Sequence, residues 1–354
     1  MSDSGVDDLA SRRRTGARPS LLQVAQLAGV SPQTASRVAR GASARVRPTT
    51  RDRVLAAMEE LGYAPNSAAR ALRVGSYGAL GVIGHQLHRT GESLTVQAIV
   101  EAARRENYTV SLVGIGTPSL SEVNTAVMRL AHQSIDGLVI IRAEDTTAAT
   151  LTMPPGLPVA VSDSHFAGHH PAVGTDHRRG TLLAVNHLLE LGHHTVQHVA
   201  GPEHSRPAAE RTDAWRDALR SAGRTVPAPI TGDWSSASGY RAGLRFAADP
   251  QVTAVFAAND EMAVGVIAAL TDAGVAVPGE VSVAGFDDIP LAQYVRPALT
   301  TVRQDFDEIG RTLVEFLVRQ IRDGVPLTDE HHLVPARLIE RGSTAPLTTR
   351  RRPL

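Results

Sequence analysis

Cysteine and lysine are both absent from this 354-residue chain. The first absence excludes disulfides and thiolate metal sites. The second makes every Lys-or-Arg cation an arginine. No stretch approaches the ~20 uninterrupted apolar residues of a membrane span. The opening MSDSGVDDLASRRRTGARPS is polar and mixed in charge, without the apolar core of a secretion signal. A cytoplasmic protein with no membrane partner is expected. A G-x-G-x-x-G loop, a phosphate-binding P-loop and a Ser/His/Asp set in motif context are also missing. The chain therefore offers no case for catalysis and calls for no cofactor. It lacks the leucine heptads that a tetramerising tail needs.

Hydrophobic residues make up 42% of the chain, enough for a sizeable core in two or three domains. The formal net charge is zero but unevenly spread. Residues 1–73 hold twelve arginines against six acids, a surplus of +6 that the remainder offsets. A basic segment on an acidic body points to a polyanion partner for that segment.

The stretch VAQLAGVSPQTASRVARG at 24–41 breaks one short helix and starts another at once. Leu22, Val24, Ala25 and Leu27 give an apolar face that stops at Gly29, a residue free to turn left-handed. Ser31 suits an N-cap and Pro32 a first helical position. Ala35, Val38 and Ala39 would face inward, with Gln33 and Arg37 sharing the outer face four residues apart. A third helix starts at Pro48, carries Val54, Leu55, Met58 and Leu61, and ends at Gly62. Three small helices with a basic outer face form a helix-turn-helix module.

LLQVAQLAGVSPQTASRVARG and VRPTTRDRVLAAMEELGYAPNSAARALR resemble the DNA-binding headpiece of the LacI family of bacterial repressors, from about Leu21 to Arg73. The resemblance implies that the helix from Ser31 to Arg40 enters the major groove. Gln33 would pair with adenine, Arg37 would fork onto guanine, and Pro32 would make only apolar contact with bases. Ser31, Thr34, Ser36 and Thr50 would contact phosphates. Downstream, Asn66 can cap and Gly75 can end a helix of about two turns, marginal in water on its own. In the family this segment pairs with its twin in the minor groove. Ala71 and Leu72 occupy that position here, the leucine as the wedge between base steps.

From Ala79 onward, apolar runs alternate with amphipathic stretches. Strands are expected at 79–84, 109–114, 137–142, 159–163, 195–200, 254–260 and 281–288, and helices at, for example, 93–107, 181–192 and 306–324. Such alternation implies doubly wound parallel sheets, and the length suits two lobes. Ligands bind beyond the carboxyl ends of strands in these folds, where Asp163, Asn259-Asp260 and Asp287-Asp288 fall. With Arg211 and Trp234 they suit a neutral polyol: carboxylates accept from hydroxyls, arginine donates, and an indole covers C–H faces. Asp260 and Asp288 read more readily as caps of helices or turns. Trp234 has packing as its alternative. The histidine pairs at 169–170, 193–194 and 331–332 are adjacent, so their side chains diverge; they read as surface residues, not metal ligands.

GTDHRRGTLLAVNHLLELGH, GDWSSASGY, AANDEMAVGVIAAL and VSVAGFDDIPLAQYVRPALTTVRQDF resemble the effector domain of the same family. The resemblance implies a periplasmic-binding-protein-like pair of lobes with a sugar in the cleft. Arg211, Asn259 and Asp287 match the family's ligand contacts, and Asp163 and Trp234 match contacts of its galactoside-responsive branch. His85 replaces that branch's small polar residue at the end of the first strand.

The expected organisation is a disordered tail at 1–19, an all-α headpiece at 20–65, a hinge helix or linker at 66–77, a two-lobed α/β sugar-binding and dimerisation domain at 78–342, and a flexible tail at 343–354. The expected function is a homodimeric repressor of sugar-utilisation genes, released from a double-stranded, pseudo-palindromic operator by a small sugar effector. The alternatives are a corepressed regulator and a solute-binding protein that never touches DNA.

Overall fold

A computed structural model describes residues 19–39, 46–63, 75–117, 119–141, 152–163, 169–328 and 330–347. The chain divides into two compact units between Tyr77 and Gly78. The expected tail at 1–19 lies outside the described residues apart from Pro19, as does the hinge from 66 to 74 with Ala71 and Leu72.

In the smaller unit, Ser20 caps helix α1 (Leu21–Leu27) in a capping box with Gln23. Gly29 turns at φ 61°, and the amide of Val30 donates to the Ala25 carbonyl at 3.0 Å. The Ser31 hydroxyl then accepts from the Thr34 amide at 3.2 Å and opens helix α2 (Pro32–Ala39). Helix α3 (Pro48–Leu61) completes the unit. Val24, Ala25, Ala28, Ala35, Val38, Val54 and Ala57 are its core. Two expectations are corrected here. Leu22 and Leu27 face solvent, and so does Leu55, because the α3 stripe runs through Val54, Ala57, Met58 and Leu61 instead.

The larger unit contains two six-stranded sheets. The first lobe is built on β1 (Ala79–His85), β2 (Thr109–Ile115), β3 (Gly137–Ile141), β4 (Val159–Ser162), β5 (Ala172–Thr175) and β11 (His331–Val334), in the order β11-β5-β4-β3-β1-β2. All its pairs are parallel. Helices α4 (Thr90–Arg105) and α5 (Leu120–His132) cover it. The second lobe is built on β6 (Gln197–Ala200), β7 (Ile230–Thr231), β8 (Ala254–Ala257), β9 (Ser282–Asp287), β10 (Thr300–Arg303) and β12 (Arg337–Ile339), in the order β12-β10-β9-β8-β6-β7. Only β12 runs antiparallel. Helices α6 (His177–Glu190), α7 (Arg206–Ser221), α8 (Ser236–Ala248) and α9 (Asp260–Asp272) belong to it. Strands such as GLVII are buried along their whole length, as a sheet covered on both faces requires. No helix among the described residues is long and apolar enough to cross a membrane.

The chain passes between the lobes three times: from β5 to α6, from β10 to α10 (Phe306–Asp323), which packs on the first lobe, and from β11 to β12. These crossings lie side by side. The Asp176 amide donates to the Val334 carbonyl at 2.9 Å, and the Thr175 hydroxyl to Gln304 Oε1 at 2.5 Å.

The expected flexible tail is also corrected over residues 343–347, while 348–354 lie outside the described residues. Ser343 is buried; its hydroxyl donates to the Val283 carbonyl at 2.6 Å and accepts from the Thr300 amide at 2.8 Å. The Leu347 amide donates to Leu191 at 2.8 Å. His193 is no surface residue either: it bonds Thr253 at 3.0 Å and Ser282 at 3.1 Å, while its neighbour His194 is exposed.

His198 lies fully buried between Phe256 and Trp215, with ring centroids at 5.2 and 5.0 Å. Burial disfavours its charged form and pulls its pKa down to about 4, against a hydrogen bond to the Phe256 carbonyl that pushes the other way. The unfolded chain protonates this ring near pH 6.5. Stability is therefore full above that pH and declines as pH falls toward 4, by on the order of 3 kcal/mol from this group. Urea denaturation between pH 7 and 4.5 should show the decline, and His198→Asn should flatten it; an equal slope in the variant would assign it elsewhere.

Candidate functional site

The residues expected to contact DNA sit where the helix spacing places them. Pro32, Gln33 and Arg37 are exposed on α2, opposite the buried Ala35 and Val38. Ser31 is exposed, and Thr34, Ser36 and Thr50 are half-buried. The Ser31 hydroxyl already caps α2, so the expected phosphate contact would have to use its remaining hydrogen-bonding capacity.

In the larger unit the carboxyl ends of β8 and β9 bring four of the expected residues together. Asn259 is the N-cap of α9: its Oδ1 accepts from the Met262 amide at 3.0 Å and its Nδ2 donates to the Trp234 carbonyl at 3.1 Å. One amide N–H and one oxygen lone pair remain beyond those bonds. Trp234 lies in the turn before α8 at φ 69°, with its ring against Gly201, where a Cβ would come within 2.4 Å. A side chain at 201 would expel the indole. Trp234 thus packs and lines the cleft at once.

Arg211, on α7, is 1% exposed. Its NH1 donates to the Ala258 carbonyl and lies 3.6 Å from Asp287 Oδ1. Its Nε and NH2 approach His177 Nδ1 at 3.4 and 3.3 Å, and its guanidinium carbon stands 3.8 Å over the Phe286 ring. Arginine carries only donors, so Nδ1 of His177 is the acceptor. The ring proton is then on Nε2, which faces Asp163 Oδ1 at 3.2 Å. On the other side, Asp287 Oδ1 accepts from Gln304 Nε2 at 2.6 Å, and Gln304 passes the chain on to Thr175. A single run of contacts, Asp163–His177–Arg211–Asp287–Gln304–Thr175, thereby joins both lobes and two of the crossings. Asp163, Trp234 and Asp287 all hold positive φ, at 45°, 69° and 121°. Non-glycine residues are kept there at a cost of about 1–3 kcal/mol each, which commonly marks functional sites.

Arg211, Trp234, Asn259 and Asp287 line a small hollow together with Arg89, Glu92 and Glu261. Asp163 lies one step away, lining an adjoining hollow with His177 and Arg206. His85 is not brought to either: its Nε2 pairs with the Gly116 carbonyl at 3.0 Å. Asp260 and Asp288 serve the frame. Asp260 accepts from the Ile289 amide at 2.9 Å and the Thr301 hydroxyl at 2.5 Å. Burial, and then the charge of Asp287, push its carboxyl well above the usual range. Asp288 is held by Arg303 and Arg341, each at 2.6 Å. His177, Gln304, Arg89, Glu92 and Glu261 were not among the residues expected at the site. Glu261 follows the strand-end pair Asn259-Asp260 directly, which is the one signal the sequence held for it.

The fold and the cleft define a class: a helix-turn-helix module on the same chain as a two-lobed ligand-binding body. Residues 20–66 match the bacterial regulatory proteins of the lacI family, and residues 185–344 match a periplasmic binding protein-like domain. The chain is 35% identical over 330 residues to the lactose operon repressor of Escherichia coli (strain K12), covering 92% of this chain and 90% of that protein. It is 32% identical over 327 residues to the ribose operon repressor of the same strain, covering 90% and 98%. A solved lac repressor dimer, bound to operator and the anti-inducer ONPF, matches with a TM-score of 0.80 at 32% identity, over 93% of this chain and 100% of that one. The chain belongs to the lacI family of bacterial regulatory proteins and is a DNA-binding transcriptional regulator.

Gln304→Leu tests the contact run. It leaves the Asp287 carboxylate and the Thr175 hydroxyl each short of a partner and should lower stability by about 2–4 kcal/mol in urea denaturation. A loss no larger than that of an ordinary surface substitution would show that the run carries little.

Proposed function

We propose that the protein is a homodimeric repressor of sugar-utilisation genes that leaves a pseudo-palindromic operator when a neutral sugar binds between its lobes. The observation that carries the sugar is the convergence of Asn259, Asp287, Arg211 and Trp234 on one hollow. A carboxylate accepts hydroxyl hydrogens, an amide both donates and accepts, and an indole covers C–H faces. Asp163 and Trp234 favour a β-galactoside within that class. Asp163, Arg211, Trp234, Asn259 and Asp287 form the proposed effector set, without His85.

Pro32, Gln33 and Arg37 read bases, and Ser31, Thr34, Ser36 and Thr50 hold phosphates. Ala71 and Leu72 enter the minor groove. Two-fold pairing of headpieces matches a palindrome, which is why a dimer is proposed. The sugar acts by its differential affinity for two lobe arrangements, one of which favours operator binding. No residue set for catalysis is assigned, and the place of action is the cytoplasm, on DNA.

Fluorescence anisotropy at fixed salt, with DNA from upstream of the gene and its neighbours, tests this directly. Titration with galactosides, glucosides and free monosaccharides should release the DNA for one class. Tightening would make the sugar a corepressor, and no response to any would remove the sugar reading. Arg37→Ala should relax base preference at one position per half-site by about 1–3 kcal/mol; unchanged selectivity among operator variants contradicts its assignment. Asp287→Ala should lose the sugar response, and a normal response in that variant would displace the cleft.

A further inference from the structure

Arg89 stands in the turn between β1 and α4 and reaches across the cleft. Its NH1 donates to Glu261 Oε2 at 3.1 Å and its NH2 to the Asp233 carbonyl at 3.3 Å, both on the second lobe. The amide and hydroxyl of Thr90 donate to the other oxygen of Glu261 at 3.0 and 2.9 Å. These contacts use two of the five guanidinium N–H bonds; of the three nitrogens, Arg89 Nε is the one sealed from solvent with no partner. Among the described residues, Thr181 Oγ1 and Ser205 Oγ share that condition, and neither residue lines the cleft. A buried unpaired donor costs on the order of 1–3 kcal/mol. Here it occurs where Arg211, Trp234 and Asp287 converge.

We propose that Arg89 is a specificity-determining residue of the effector cleft, its Nε–H donating to an uncharged oxygen of the bound sugar while Glu261 and Asp233 hold its guanidinium in place. This rests on the sugar reading above. The oxygen is a neutral hydroxyl and not part of an anionic group, because Glu92, Glu261 and Asp287 line the same hollow and outnumber its two arginines. An anionic group would meet a net negative surround. The contact also belongs to this lobe arrangement alone, since both groups that fix the guanidinium lie on the second lobe. A sugar that uses it binds the closed arrangement in preference to a parted one, the requirement for shifting that equilibrium.

The test is calorimetric binding of D-galactose, D-glucose, D-ribose, lactose and cellobiose to the full chain. For a sugar that binds, its monodeoxy derivatives and its uronate follow. Arg89→Lys keeps a cation opposite Glu261 and deletes the Nε–H; Arg89→Met, a second variant, deletes both and keeps the apolar stem. The wild type should lose about tenfold or more in affinity for one monodeoxy derivative. Both variants should bind the parent sugar about tenfold more weakly and be indifferent to that deoxygenation. The uronate should bind far more weakly than the neutral sugar. Variants that discriminate as the wild type does, or a uronate that binds as tightly as the sugar, overturn this inference alone. Failure of every sugar to bind the wild type overturns the sugar reading and this inference with it.

Discussion

Arg211 is a permanent cation with 1% of its surface exposed, and much of the cleft follows from that burial. An uncompensated guanidinium in a protein interior costs several kcal/mol, so it has to be met by acceptors and by a polarisable face. The Ala258 carbonyl, His177 Nδ1, Asp287 and the Phe286 ring supply them. Each of these obligations fixes a neighbour. His177 is forced into one tautomer and so presents its proton to Asp163. Asp287, drawn toward the cation, takes its nearest donor from Gln304, which lies just past β10 on the second crossing. The Asp287 carboxylate, which lines the hollow, and the connection between lobes are therefore parts of one electrostatic arrangement.

That arrangement explains how a small ligand can affect the spacing of the lobes. A ligand hydroxyl donating to Asp287 competes with Gln304 for the same carboxylate, and Gln304 is bonded to Thr175 on the neighbouring crossing. At the cleft mouth, Glu261 meets both Arg89 and the first turn of α4. The closed arrangement is thus stabilised at the crossings and at the mouth. A ligand can bias it only by contacts that differ between closed and parted lobes. Those at the mouth differ most, because the separation there changes most when the lobes rotate about the crossings.

The headpiece was readable from spacing because its punctuation is local. Ser20, Gly29, Ser31 and Gly62 act on residues within four positions of themselves. Seven strands were readable as apolar runs; Ala172–Thr175, Ile230–Thr231 and Thr300–Arg303, two to four residues long, were not. Which residues face inward was less legible. Leu22, Leu27 and Leu55 are apolar yet exposed, while small Ala28 and Ala57 are buried beside Val24, Val38 and Val54. In the cleft, strand ends identified Asn259 and Asp287. Arg89 and Glu92 carry no such mark: they lie 167 or more residues from Asn259 and meet it only once two lobes fold and close. Ser343 and His193 escaped for the same reason, their partners being Val283 and Ser282 on a distant strand.

Trp234 shows why packing and function are poor alternatives at such a site. Its ring needs the bare backbone of Gly201, its own backbone sits at positive φ, and its carbonyl orients Asn259. Each feature is a packing statement, yet together they fix an indole face and an amide relative to Asp287. A polyol offers hydroxyls at its edge and C–H groups on its faces, so recognition needs polar groups and an apolar plane in a set relation. A tryptophan held only by the ligand would lose rotamer freedom on binding, whereas one already packed does not. The 7% of Trp234 that remains exposed is thus presented without further ordering, and its burial is part of how it would bind.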